Sequence, residues 1–175
     1  MKDIKKHVLR PVIDLDRIFV EDPVRMLRAI KYSATTHAKM SGALRRKIRH
    51  SAKLLSQISP SRLTEELLKI INNVYAYEII EEALDTDLFI YLQPSATGLI
   101  YENKNYEKGY MQSIKELSEI NKTNPDVRLG KKMIYLIRDF IYQLTDWEKE
   151  IEAKTSFSEL YSRTWGECRN FVLPM

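Results

Sequence analysis

Ile13–Arg28, reading IDLDRIFVEDPVRMLR, gathers the side chains best suited to chemistry. Asp14 and Asp16 stand at i and i+2, a spacing that puts two carboxylates on one side of a strand, as in sites that hold paired Mg²⁺ ions for phosphoryl or nucleotidyl transfer. Such a site also needs a third carboxylate, a supporting sheet and a loop for the phosphates. All 5 glycines stand singly, so no phosphate-cradling glycine loop exists. No metal site is expected here. Asp22, Arg25 and Arg28 follow at i, i+3 and i+6 along one side of two helical turns. A carboxylate acceptor beside guanidinium donors is able to read the hydrogen-bonding edge of a nucleobase, and a helix N-terminus favours phosphate. The plainer alternative is an Asp–Arg pair supporting a surface helix.

The elements that must position these groups are helical. Val24, Leu27, Ile30 and Ala34 recur near a 3.6 period, with Asp22 as a potential cap and Pro23 in the first turn. TTHAKMSG reads as a turn. A second helix follows with Leu44, Ile48, Ala52 and Leu55 on one face and Arg45, Arg46, Arg49 and Lys53 off it. SPSRLTEELLKIINN begins a third, with Leu63, Leu67, Ile70, Ile71 and Val74 inward, and YAYEIIEEAL a short fourth. DLFIYLQP reads as a hydrophobic connection stopped by Pro94, and 95–105 as a loop. Helical patterns then cover about 107–121, 128–145 and 157–172. Strand alternation is weak and no Asn-Gly or Asp-Gly hairpin turn occurs. The fold class expected is all-α.

Charge narrows the partner class. Residues 1–80 hold 16 Lys/Arg against 8 Asp/Glu, whereas 81–175 hold 12 against 16. A basic N-terminal half points to a polyanion, nucleic acid first, with a merely solvated basic surface as the alternative. Cys168 is the only cysteine, which excludes an internal disulfide and a cysteine-built zinc site and fits a reducing cytoplasm. No apolar run approaches bilayer length, so no membrane partner is expected. His7, His37 and His50 are isolated and read as surface residues. Tyr135, Phe140, Tyr142, Trp147 and Trp165 read as core rather than as platforms for base stacking.

FVEDPVRMLRAIKYSA, followed some thirty residues on by LLSQISPSRLTEELLKI, resembles the family of class II tRNA nucleotidyltransferases and bacterial poly(A) polymerases. EDPVRMLRA carries the likeness most specifically. Ile58, Ser59, Arg62 and Glu66 match the later family element, and GECRNFVLP is similar to a helix of the poly(A) polymerase body. The resemblance implies that Asp22 and Arg25 read the incoming base, that Arg28 supports them or faces phosphate, and that Glu21, Arg62 and Glu66 brace the neck. It also places IDLD where the family runs into its neck, making the paired aspartates a coincidence. Ile13, Leu15 and Ile18 depart from the family's usual Gly, Pro and Arg, with Arg17 one position from the last.

By that resemblance 1–20 would connect a head domain to a helical neck at 21–93, with a helical body at 94–175. The chain is expected to hold ATP or CTP and an RNA 3′ end for template-independent nucleotide addition, with Arg45, Arg46, Arg49 and Lys53 on RNA phosphates. The catalytic carboxylates, and with them Mg²⁺ and the triphosphate of ATP, would belong to a nucleotidyltransferase head in cis or in trans. No catalytic residue is expected in this chain, which alone would be inactive. The rival expectations are a non-enzymatic helical RNA-binding adaptor and a protein-interaction module that self-associates.

Overall fold

Pro23 has no backbone N–H to give, and the chain turns there between its first two helices. The computed structural model describes residues 8–9 and 15–172. His7 and Asp14 lie outside the described residues, as do the side chains at 15, 16, 144, 157 and 170, so the paired aspartates have no geometry here. Helix α1 spans Leu15–Glu21 and α2 spans Val24–Thr36. The Asp22 N–H closes α1 on the Ile18 carbonyl at 3.0 Å, and the Asp22 carbonyl accepts from Arg25 N–H at 3.1 Å. The expected cap by the Asp22 side chain does not form. Pro23 holds the N-cap position without a side-chain bond, because the carboxylate turns toward a distant helix.

Helix α2 ends at His37, which takes a left-handed φ of 53°. Its neighbours Lys39–Met40 form β2, paired in parallel with β1, Val8–Leu9. These two short segments are the only strands among the described residues. Ser41 then caps α3, Gly42–Ser51, by accepting the Leu44 N–H at 3.3 Å. A 3₁₀ turn over Ala52–Gln57 continues the same buried stripe, so Leu44, Ile48, Ala52 and Leu55 all face the interior. Pro60 opens α4, Pro60–Ile71, and α5 follows at Ala76–Asp85.

The segment expected to be a loop after Pro94 is helical. Phe89–Leu92 forms a short α6, and Pro94 starts α7, Pro94–Glu102, rather than only stopping what precedes it. A proline in the first turn loses no helical bond. Ala96, Thr97 and Ile100 then supply a buried face, and the Thr97 hydroxyl donates to the Gln93 carbonyl at 2.9 Å. Asn103 caps α8, Lys104–Thr123, by accepting from Asn105 and Tyr106 N–H. Helices α9, Leu129–Leu144, α10, Trp147–Glu152, and α11, Phe157–Val172, complete an all-α chain.

One hydrophobic cluster runs from Phe19 to Val172. Within it α8 packs on α5 and α9, α2 on α5, and α9 on α11. Two polar ties cross it at the end of α4. Asn121 Nδ2 donates to the carbonyls of Ile71 and Asn73 at 2.9 and 2.8 Å, and buried Lys132 donates to Asn72 Oδ1 at 2.9 Å and Pro125 O at 3.3 Å. Asn121 thus supplies donors to carbonyls at the C-terminal end of α4, and the Lys132 ammonium is held at the same end through the Asn72 side chain, where a cation is favoured. The expectation of core burial fails for three aromatics: Tyr142, Trp147 and Trp165 are exposed by 69%, 40% and 58%. Phe140 stacks on Phe171 and covers the contact of α9 with α11, so Tyr142, two residues on, points to the other side.

Candidate nucleotide and RNA site

Asp22 is where three arginines meet. Its Oδ1 accepts from Arg62 Nη2 at 2.8 Å, a bond linking residues 40 apart in sequence. Its Oδ2 lies 3.7 Å from Arg25 Nε and 3.7 Å from Arg28 Nη1. The first is a charge-assisted hydrogen bond, and the other two are too long to be one. One carboxylate oxygen is therefore held while the other keeps acceptor capacity beside two guanidinium groups. The Asp22 side chain is largely buried, whereas those of Arg25, Arg28 and Arg62 are nearly half exposed. One negative charge among three positive ones leaves a local surplus that favours an anion.

Helix spacing accounts for part of this. Arg25 and Arg28 occupy successive turns of α2 on the side facing Asp22, and Val24, Met26, Leu27 and Ile30 pin the opposite side into the core. Arg62 reaches across from the first turn of α4, whose Leu63 and Leu67 fix its rotation. Glu21 and Glu66 bond elsewhere. Exposed Glu21 accepts from Arg17 at 2.8 Å within α1, and buried Glu66 accepts from Lys69 at 2.6 Å within α4. Arg17 thus pairs along its own helix.

The basic residues of α3 divide into two sets. Arg45 donates to Glu82 and lies 3.9 Å from Asp85, and Arg49 donates to the Asp85 carbonyl and lies 3.6 Å from Asp87. The end of α5 thus presents an acidic ledge to half of the expected phosphate-binding face. Burial raises the Glu82 carboxyl above its ordinary pKa, and Arg45 pulls the other way. Arg46 and Lys53 are exposed and make no ion pair among the described residues. Glu82, Asp85 and Asp87 were missed in the sequence reading because acidic residues near a helix end are commonplace.

A second charged network sits between α8 and α9. Arg138 donates to Ser113 Oγ at 2.6 Å and to Glu116 at 2.7 Å, and Ser113 donates to Asp139. The Arg138 bond holds the Glu116 carboxyl below its usual pKa. Among the described residues no three His, Cys, Asp or Glu side chains come together to hold a metal ion. Nor is any described helix long and apolar enough to cross a membrane.

The chain is thus all-α, with a largely buried carboxylate ringed by three arginines just ahead of α2. The family model described as "Probable RNA and SrmB- binding site of polymerase A" matches residues 39–99. The chain is 28% identical to poly(A) polymerase I of Escherichia coli O157:H7 over 183 residues, which is 99% of this chain and 39% of that protein. It is 32% identical over 108 residues to poly(A) polymerase I of Haemophilus influenzae, covering 60% of this chain and 23% of the relative. It is 30% identical over 88 residues to the CCA-adding enzyme of Lactobacillus helveticus, covering 50% and 22%. The chain is thus similar to bacterial poly(A) polymerases along nearly its whole length and to a CCA-adding enzyme over half of it. It spans about two fifths of the length of the Escherichia coli relative, 39%.

Proposed function

We infer that this chain holds a nucleotide base and an RNA 3′ end for template-independent nucleotide addition. The observation that carries the reading is the asymmetry at Asp22, with Oδ1 held by Arg62 and Oδ2 placed between Arg25 and Arg28. Oδ2 accepts from an amino group of ATP or CTP, Arg25 donates to a ring nitrogen or carbonyl of the same base, and Arg28 faces phosphate. Arg46 and Lys53 meet RNA phosphates directly, and Arg45 and Arg49 do so after leaving the acidic ledge. The metal-dependent attack of the 3′-hydroxyl on the α-phosphate belongs to a nucleotidyltransferase head acting in cis or in trans, with Mg²⁺ bound there. This chain supplies selection and positioning, and alone it adds no nucleotide.

The test is labelled-primer extension with the chain paired to a head domain, giving each nucleoside triphosphate separately. Arg25→Ala should blur the choice of nucleotide more than it lowers total extension. Unchanged selectivity would remove Asp22 and Arg25 from base reading. A protein-interaction reading draws on the exposed Leu129, Ile134 and Trp165, which border an apolar groove of about 440 Å³ between α9 and α11. Light scattering on the purified chain separates it: a mass above the monomer supports self-association, and a clean monomer opposes it.

A further inference from the structure

A second recess lies apart from Asp22, where the end of α2, β2, α3 and α5 converge. It has a volume of about 430 Å³, within the range of small-ligand sites. His37, Lys39, Met40, Arg45, Glu78 and Glu82 contribute to its wall. Its polar groups are unevenly satisfied. Glu82 Oε2 accepts from Arg45, but Glu82 Oε1 is buried and has no hydrogen-bond partner. A buried acceptor without a donor is uncommon in a native interior and marks a place where a ligand can complete the bonding. At the rim stand exposed Lys39 and the half-exposed Arg45 side chain. His37, at its left-handed φ, packs perpendicular to Tyr75 with ring centroids 5.0 Å apart and offers a flat exposed ring.

We propose that this recess binds one unstacked nucleotide of the RNA, with the amino group of its base donating to Glu82 and its phosphate held by Lys39 and Arg45. This rests on the RNA-binding reading above and adds to it a second point of base selection. Binding moves the Arg45 guanidinium from Glu82 to the phosphate, which opens both Glu82 oxygens to the base. His37 supplies a ring for stacking, as in recognition of unpaired RNA. Adenine and cytosine each present an exocyclic amine to a carboxylate. Uracil presents one N–H between two carbonyl oxygens that a carboxylate repels, so it fits worst.

The experiment is fluorescence anisotropy with labelled oligo(A), oligo(C) and oligo(U) on the whole chain and on Glu82→Gln. The native chain should prefer oligo(A) and oligo(C) over oligo(U) by roughly tenfold, the discrimination of one good base contact. In Glu82→Gln the amide oxygen keeps Arg45 and the NH₂ turns to the recess, so the preference should vanish or reverse toward oligo(U). Total affinity for mixed-sequence RNA should change little. A second readout uses the native chain alone, so it stands even if the variant does not fold. The His37 ring resonances should shift on adding oligo(C), and far less on adding oligo(U). RNA binding with no base preference, or a preference kept in Glu82→Gln, or a silent His37, overturns the proposal. No RNA binding by the native chain at all overturns the RNA reading on which it rests.

Discussion

Neutralising Asp22 should destabilise the chain more than removing Arg62, although the two share one bond. In a water-like medium a 2.8 Å ion pair is worth about 1.5 kcal/mol and a 3.7 Å pair about 1 kcal/mol. Asp22 takes part in all three pairs and Arg62 in one. Because the arginine side chains are nearly half exposed, screening and lost rotamer freedom cut these values, to about 2 kcal/mol net for Asp22→Asn and about 1 kcal/mol for Arg62→Ala. For a chain of this size that corresponds to a fall in Tm of roughly 4–8 °C against roughly 2–4 °C. Asp22→Asn also leaves three guanidinium groups repelling one another with no counter-charge. Thermal melts followed by circular dichroism should show the order, and raising salt from roughly 0.1 to 1 M should shrink the Asp22→Asn deficit as the screening length shortens. An equal loss for both variants, or an Asp22→Asn deficit that salt leaves untouched, would refute the view of Asp22 as the organiser of a cationic cluster.

Arg46→Ala with Lys53→Ala should weaken RNA binding evenly across sequences and lower the slope of log affinity against log salt by about 1.4, from about 0.7 for each single-strand phosphate contact; anisotropy across a salt series measures both. Asn121→Ala should cost about 2–3 kcal/mol in chemical denaturation, because two carbonyls at the end of α4 lose their donor inside the core. Gly109→Ala should destabilise despite alanine's better helix propensity, since the new Cβ would lie 2.7 Å from Asp139 Oδ1 and displace the acceptor of Ser113. Acidification should act oppositely on two carboxyls. Glu116, with its folded pKa depressed by Arg138, contributes stability that is present above its unfolded pKa and lost as pH falls through the folded one. Glu82, with its folded pKa raised by burial, is destabilising when ionised and is relieved as pH falls through its raised pKa. In melts across the acid range Glu116→Gln should therefore flatten the loss of stability, and Glu82→Gln should steepen it.

The helices were legible where one apolar stripe dominated. Leu44, Ile48, Ala52 and Leu55 keep their face even though the backbone tightens to 3₁₀ beyond Ser51, because burial and not helix type sets that spacing. Segment 95–105 misled for a physical reason. Pro94, Ser95 and Gly98 have turn composition, yet three buried residues at 96, 97 and 100 override local propensity once α8 is there to receive them. The exposed Trp147 and Trp165 misled in the reverse sense, since a periodic aromatic does not say whether a neighbouring helix covers it. At the site, the i and i+3 spacing conveyed that Arg25 and Arg28 flank Asp22. It could not convey that the nearest donor to Asp22 comes from residue 62, because a contact across 40 residues leaves no local periodicity.

That same contact explains how a carboxylate at a helix start can be ringed by guanidinium groups and still keep one oxygen free of a short bond. Arg25 and Arg28 alone would collapse onto Asp22 as ordinary helix-surface pairs, using both oxygens and leaving nothing for a ligand. Arg62 approaches from another helix and takes Oδ1 at 2.8 Å, which draws the carboxylate away from α2 and leaves the other two arginines at 3.7 Å. The basic helix α3 shows the opposite arrangement, in which Glu82, Asp85 and Asp87 hold Arg45 and Arg49. A polyanion gains the Asp22 cluster without breaking a short ion pair at Arg25 or Arg28, but reaches Arg45 and Arg49 only by exchange with carboxylates. Affinity on the α3 side should therefore depend on that exchange, and neutralising Asp85 and Asp87 should raise RNA affinity there while leaving the ion pairs of Asp22 unchanged.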